Sequence, residues 1–177
     1  RSMRSASARD LLYTVRAYCD SLVALLELFV TPLSKLLDDG STILDKTQQK
    51  QLFGNIPTLL KISREFCMVL EGRLNNWSDE QFIGDILLSL YDALNALDAL
   101  DASNLISSIL TTIGCEQFPF MKIYLSYREQ VGYSPALIQQ LLESNKQFRE
   151  LHDIAVRHPA SKRLPLGAFL IMPIQRI

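Results

Sequence analysis

A long stripe of apolar residues near the start of the chain constrains its fold more than any other feature. The stripe recurs at alternating spacings of four and three residues, at Leu11, Val15, Tyr18, Leu22, Leu25 and Phe29, and is widened by Leu12, Cys19 and Leu26. This spacing places apolar side chains on one face of a helix, whereas a strand would alternate every second residue. We predict a long amphipathic helix from Ala8 that bends or restarts at Pro32 and stops before Gly40.

Further stripes with the same spacing follow, and most begin or end at a recognisable signal. Pro57 fits the first turn of a second long helix that runs to Leu74. Ser78 and Gln81 have the spacing of a capping box, which predicts that a third helix opens there. Later helices are predicted over residues 121–130 and 134–158, and after Pro165. No strand pattern competes, so the predicted fold class is all-α, an elongated bundle of long helices.

Composition and charge exclude several classes of function. With 18 Lys and Arg against 19 Asp and Glu, the net charge is −1 and no basic run is present, so nucleic acid is not an expected partner. The longest stretch without a charged side chain covers residues 102–115, shorter than the roughly 20 residues of a membrane span. The three cysteines lie far apart in apolar patterns, which is typical of reduced thiols in a soluble cytosolic protein.

The sequence carries no recognisable catalytic, metal or cofactor motif. Its two histidines, His152 and His158, lack the spacing of a zinc site or a nucleophile–base pair. We expect His158 to be a helix-terminal cation and His152 to lie half-exposed on a helix. The glycines are too scattered for a phosphate-binding loop, so no cofactor is expected.

The carboxy-terminal residues 169–177 carry a more specific signal. They contain Pro173-Ile174-Gln175-Arg176, and a core helix with a simple proline kink would not account for Gln-Arg shortly after the proline. The run resembles the third conserved region of Dbl-homology domains, the exchange-factor domains for Rho-class GTPases. That region usually reads Leu-Ile-Lys-Pro-Ile/Val-Gln-Arg.

Three further matches follow in the order of that family. Thr14-Val15-Arg16-Ala17-Tyr18 and the later Pro32-Leu33 pair resemble the first conserved region, and Phe53-Gly54-Asn55-Ile56 resembles the second. Residues 77–85 resemble the helix start that precedes a Tyr-x-x-Tyr segment, here residues 124–127. The resemblance covers nearly the whole chain, except for an expected insertion around residues 92–118.

The resemblance implies catalysis without covalent chemistry. Such domains grip the two switch segments of a Rho-family small GTPase, which displaces the magnesium ion and lets GDP leave. In this sequence the implied GTPase-binding residues are Asp10, Leu11, Thr14 and Val15 on the first helix, and Met172, Gln175 and Arg176 on the last.

Two of these residues depart from the family pattern. Val15 stands where the family has a glutamate that engages the first switch, and Met172 stands where it usually has a lysine. Val15 also lies on the apolar stripe, so it is either a surface contact or a core residue. In both cases a carboxylate is missing, and exchange is either weakened or supported by a neighbour such as Asp10.

The expected domain occupies residues 8–177, after a cloning junction or disordered start at residues 1–7. Compared with the family, it lacks the end of the last conserved helix and the final helix. The resemblance implies an adjoining pleckstrin-homology domain outside this chain, and the face left open would favour self-association. We expect a cytoplasmic protein that other domains recruit to the membrane. The alternative hypotheses are a degenerate module that acts as a scaffold or autoinhibitory element without exchange activity, and a generic helical interaction bundle.

Overall fold

The computed structural model describes residues 3–40, 43–78, 80–86 and 119–175. No strand occurs within these ranges, and the predicted all-α class is confirmed. The helical elements are α1 (Met3–Leu25), a π-helical turn (Leu26–Val30), α2 (Thr31–Asp38), α3 (Lys46–Phe53), α4 (Ile56–Asn75), α5 (Pro119–Val131), α6 (Ser134–Ser144), α7 (Lys146–Arg157), a 3-10 turn (Pro159–Ser161) and α8 (Leu166–Gln175).

The first apolar stripe forms a helical rod interrupted by the π-helical turn. The Thr31 N–H donates to the carbonyl of Leu26, which lies five residues back instead of four. Pro32 has no N–H, and in a regular helix its ring would collide with the carbonyl of Leu28. The wider π turn relieves this collision, since it adds a residue to the turn that precedes the proline. The expected bend or restart at Pro32 therefore takes the form of a π turn.

Helix α1 begins at Met3, five residues earlier than the sequence pattern predicted. Ser5 is buried within this first part of the helix. The guanidinium of Arg4 donates to the Gln81 carbonyl at 2.6 Å and lies 5.0 Å from the centre of the Phe82 ring. These contacts join the first turns of α1 to the segment around Phe82, and residues 3–7 are helical.

The main core lies along one side of α1, and each of the helices α2 to α8 contributes buried residues to it. Helix α1 packs against α4 and α8, and α8 also packs against α5 and α6. The largest side chains that are fully buried here are Phe29, Tyr127 and Phe148, joined by leucines from six of the helical elements. A smaller second cluster contains Ala8, Leu70, Leu74 and Ile86, with Trp77 packed against it. The tertiary contacts therefore hold α1 and α8 in fixed positions.

The predicted third helix starts later than its capping signal. The Ser78 N–H donates to Gln81 Oε1 at 3.2 Å, but residues 81–83 are not helical and the first helical residues are 84–86. The guanidinium of Arg73 in α4 donates to the Phe82 carbonyl at 2.6 Å. In a helix that began at Ser78, this carbonyl would instead accept a hydrogen bond from a later backbone N–H. The rest of this predicted helix and the expected insertion lie outside the described residues.

Helix α6 is separate from α7, whereas the sequence pattern predicted one continuous helix. The break is at Asn145, whose backbone is extended with φ −119° and ψ 107°. Its Oδ1 accepts from the Phe148 N–H at 3.0 Å and its Nδ2 donates to the Ile43 carbonyl at 3.3 Å. Asparagine thus caps α7 and ties it to the segment before α3.

The two histidines contact the chain that follows α7. His158 Nδ1 accepts a hydrogen bond from the Ala160 N–H at 3.2 Å, so the His158 ring caps the 3-10 turn. His152 is less exposed than predicted. The side chain of His152 is only 12% exposed, and its Nε2 accepts from the N–H of Leu166, the first residue of α8, at 3.4 Å. His152 thus links α7 to α8 and is mostly buried.

Gly54 occupies a position where α3 comes very close to α5. A Cβ at this residue would lie 2.6 Å from the Lys50 carbonyl and 3.2 Å from Gln130 Nε2. That same Nε2 donates to the Lys50 carbonyl at 2.6 Å and to the Gln51 carbonyl at 2.9 Å, which satisfies the end of α3. A side chain at residue 54 would disrupt this contact between the two helices.

Gly54→Ala is therefore expected to lower the free energy of unfolding by about 1–3 kcal/mol, the usual cost of overpacking. The measurement is chemical denaturation followed by circular dichroism. Gly72→Ala is the matched control: a Cβ there meets nothing within 4 Å and the residue lies inside α4. Alanine should stabilise the helix at residue 72 by up to about 1 kcal/mol. Equal effects at both positions would contradict the close approach at Gly54.

Candidate functional surface on α1 and α8

The two helices that carry the candidate residues lie side by side. Helix α1 packs against α8, and Leu11 and Met172 are both partly buried against the main core. Asp10, Thr14 and Gln175 are exposed. The structure therefore presents three polar side chains on two adjacent helices, together with two apolar side chains that are partly covered.

Val15 does not belong to this surface. Its side chain is 1% exposed and lies in the main core. A valine at this depth cannot reach a partner without separation of the helices around it. This burial favours the alternative interpretation of Val15 as a core residue, while a contact between Val15 and a GTPase stays a prediction.

The exposed residues of α1 offer hydrogen-bond acceptors. Thr14 is exposed, and its Oγ1 donates its proton to the Leu11 carbonyl at 2.8 Å. Asp10 lies one turn before Thr14 and places a carboxylate on the exposed side of the helix. On another flank of α1, Arg16 forms an ion pair with Glu71 of α4 at 2.5 Å, and this contact raises the pKa of Arg16. That flank is thus occupied by α4.

Helix α8 contains the proline of the conserved run. Pro173 is buried within the helix, and Met172 packs against the main core with a long apolar side chain where the family usually has lysine. The Gln175 side chain is exposed and can both donate and accept hydrogen bonds. Arg176 lies outside the described residues, so its place relative to Gln175 is not described.

Two tyrosines of α5, which belong to the Tyr-x-x-Tyr segment of the family resemblance, contact both helices of the surface. The Tyr127 hydroxyl donates to the Leu170 carbonyl of α8 at 2.8 Å. The Tyr124 hydroxyl lies 3.4 Å from the Tyr18 hydroxyl of α1. Their spacing of three residues is the signal that could have identified them, because it places both on one face of a helix.

Neither a metal-binding cluster nor a membrane-spanning helix is found in the described part of the chain. No group of three His, Cys, Asp or Glu side chains is placed there to hold a metal ion. Among the helices of the described ranges, none has the length and apolar character needed to cross a membrane. Cys19 is buried and Cys67 partly buried, and neither forms a disulfide within the described residues; Cys115 lies outside them.

Comparisons with known proteins place the whole chain in one family. A model of the RhoGEF domain matches residues 7–177. Rho guanine nucleotide exchange factor 26 of Homo sapiens is 28% identical over 174 residues, which are 98% of this chain and 16% of that protein. The chain thus spans about one sixth of the length of this relative.

Solved structures share the fold. The DH/PH domains of p115-RhoGEF (R399E mutant) superpose with a TM-score of 0.75 at 20% identity, over 98% of this chain and 43% of that one. The PDZ-RhoGEF DH/PH domains, crystallised in complex with GTP-gamma-S activated RhoA, superpose with a TM-score of 0.69 at 16% identity, over 99% and 43% of the two chains.

Proposed function

The chain belongs to the RhoGEF domain family, and from this premise we propose that it is an exchange-factor domain that binds the switch regions of a Rho-family small GTPase and promotes release of GDP. The observation that carries the proposal is the contact between α1 and α8, two adjacent helices that expose Asp10, Thr14 and Gln175. The likeness to a DH/PH protein crystallised with RhoA supports the same class of partner.

The proposed mechanism is differential binding. A surface that binds the nucleotide-free GTPase more tightly than the nucleotide-bound form lowers the free energy of the state from which GDP has left. The carboxylate of Asp10 and the hydroxyl of Thr14 can accept hydrogen bonds from the GTPase, while the Gln175 amide can both donate and accept them. These groups act by holding the switch segments, and no bond between protein and nucleotide forms or breaks.

The burial of Val15 leaves Asp10 as the carboxylate of this surface. A hydrogen bond to a charged acceptor is roughly twice as strong as one between neutral groups. Asp10 is exposed on the same helix, one turn before Thr14. We therefore assign to Asp10 the role that the family gives to the glutamate at the position of Val15.

The test is the release of a fluorescent GDP analogue from a panel of purified Rho, Rac and related GTPases in the presence of the full-length protein. We expect at least one GTPase to release nucleotide faster than its intrinsic rate. If every GTPase keeps its intrinsic rate, the exchange proposal fails. The second candidate function, a scaffold or autoinhibitory module without exchange activity, would then be preferred, and the burial of Val15 and the presence of Met172 favour it.

Gln175→Ala is expected to lower the stimulated exchange rate about fivefold, the effect of losing a typical neutral hydrogen bond. Gln175 is exposed at the end of α8, so the substitution should leave the unfolding transition unchanged. Gln140→Ala on α6 is the matched control, since Gln140 is also exposed and lies outside the proposed surface. Equal rates for wild type and Gln175→Ala would remove Gln175 from the GTPase contact.

The domain context and the location of the protein are further proposals. Both solved structures described above contain DH/PH domains. We propose that a pleckstrin-homology domain adjoins this chain in the full-length protein, and that the protein acts in the cytoplasm and is recruited to the membrane by such a domain.

A further inference from the structure

One face of α5 contacts both helices of the proposed GTPase-binding surface. Tyr124 and Tyr127 are three residues apart on this face and are 9% and 0% exposed. Tyr127 donates to the Leu170 carbonyl of α8 at 2.8 Å, and the Tyr124 hydroxyl lies 3.4 Å from that of Tyr18 on α1. A single helix therefore connects the two elements through two buried phenol side chains.

The Tyr127 bond reaches α8 in the turn that precedes its proline. Pro173 has no N–H, so the Phe169 carbonyl lacks the hydrogen bond that it would otherwise receive within the helix. The neighbouring Leu170 carbonyl accepts the Tyr127 hydroxyl from outside the helix. Gln175 follows Leu170 by about one and a half turns. The Tyr127 contact thus restrains the part of α8 that connects the proline turn to the proposed GTPase contact.

The Tyr124 contact restrains α1 in a similar place. Tyr18 lies about one turn after Thr14, and both tyrosine rings are buried in the main core. A separation of 3.4 Å is long for two hydroxyl groups, so this hydrogen bond contributes less than the bond at 2.8 Å. Most of the restraint at Tyr124 comes from packing of its ring.

From these contacts we infer that Tyr127, supported by Tyr124, is a positioning residue for nucleotide exchange: it sets where α8 presents Gln175 relative to Thr14 of α1. The inference rests on the proposed exchange function. It assigns to Tyr127 no contact with the GTPase, because its side chain is fully buried.

The chemistry of Tyr127 suits this role. Burial raises the pKa of its phenol well above the ordinary value, so the hydroxyl remains a protonated donor at every physiological pH. The bond to Leu170 is therefore always available.

The test is Tyr127→Phe, which removes the hydroxyl and keeps the ring in the core. We expect the stimulated exchange rate to fall roughly fivefold. The amides of residues 171, 172, 174 and 175 should exchange hydrogen faster, while those of α4 should not. Tyr124→Phe should have a smaller effect in the same direction. The matched control is Tyr133→Phe, because Tyr133 is 72% exposed just after α5 and should tolerate the change in both measurements.

A double-mutant cycle separates positioning from general destabilisation. If Tyr127 acts through Gln175, the loss caused by Tyr127→Phe should shrink when Gln175 is already alanine. A purely structural role would reduce the rate by the same factor in both backgrounds and would overturn the inference. So would unchanged hydrogen exchange in α8. If the wild-type protein stimulates no GTPase, the proposed function fails, while the hydrogen-exchange comparison still decides whether Tyr127 restrains α8.

Discussion

Replacing Val15 with glutamate is expected to destabilise the domain by several kcal/mol, although the family has glutamate at this position. The Val15 side chain is 1% exposed in the main core. Burial of a carboxylate without a partner costs several kcal/mol, either as desolvation of the charge or as forced protonation. Since a domain of this size is stable by only about 5–15 kcal/mol, the loss is a large part of the total. Thermal unfolding followed by circular dichroism measures it.

Tyr13→Glu is the matched control for this prediction. It places the same glutamate on α1, at a residue that is 75% exposed, and should change the stability by no more than about 0.5 kcal/mol. A folded Val15→Glu protein with wild-type stability and faster exchange would show instead that residue 15 reaches the GTPase. That result would also assign the carboxylate contact with the switch segments to residue 15 and not to Asp10.

Asp10→Asn is expected to reduce the stimulated exchange rate by roughly fivefold to tenfold. The substitution keeps the size of the side chain and a neutral acceptor but removes the charge, so hydrogen bonds to the switch segments lose about half their strength, roughly 1–1.5 kcal/mol. Asp10 is exposed, and stability should therefore be unchanged. The measurement is the release of fluorescent GDP from the most responsive GTPase, at several concentrations of the variant so that weak binding is distinguished from slow exchange.

Asp20→Asn provides the control for charge. Asp20 is exposed on the same helix and lies about 15 Å further along its axis. If both variants lose activity equally, the effect is long-range electrostatics, and raising the salt concentration should abolish it. Wild-type rates in Asp10→Asn would show that this surface works without a carboxylate, and the assignment of Asp10 would then be wrong.

Several features of the fold could be predicted because their causes are local in the sequence. The stripe that includes Leu22 and Leu25 required a helix, and both residues are buried as predicted. Pro57 lies in the first turn of α4, where a missing N–H has no cost. Each of these features depends on residues within a few turns of one another.

Other predictions were wrong because a distant residue decided the outcome. Ser78 and Gln81 have the spacing of a capping box, but Arg73 of the preceding helix binds the Phe82 carbonyl and delays the helix. Asn145 interrupts a continuous apolar pattern because its side chain caps α7 and also binds the Ile43 carbonyl. No local pattern contains these partners, so the sequence alone could not identify them.

The amino-acid sequence by itself determined the helical class, most helix positions and, through residues 169–177, the family. The tertiary structure decided which residues of those helices are available to a partner. Val15 and Thr14 are neighbours on α1, yet the first is buried and the second exposed. Helical periodicity depends on the spacing of residues along one segment, whereas exposure depends on which other helices cover each face. For this reason the family assignment was possible before the structure. The burial of Val15 and the proposed positioning role of Tyr127 followed only from the packing of α1, α5 and α8.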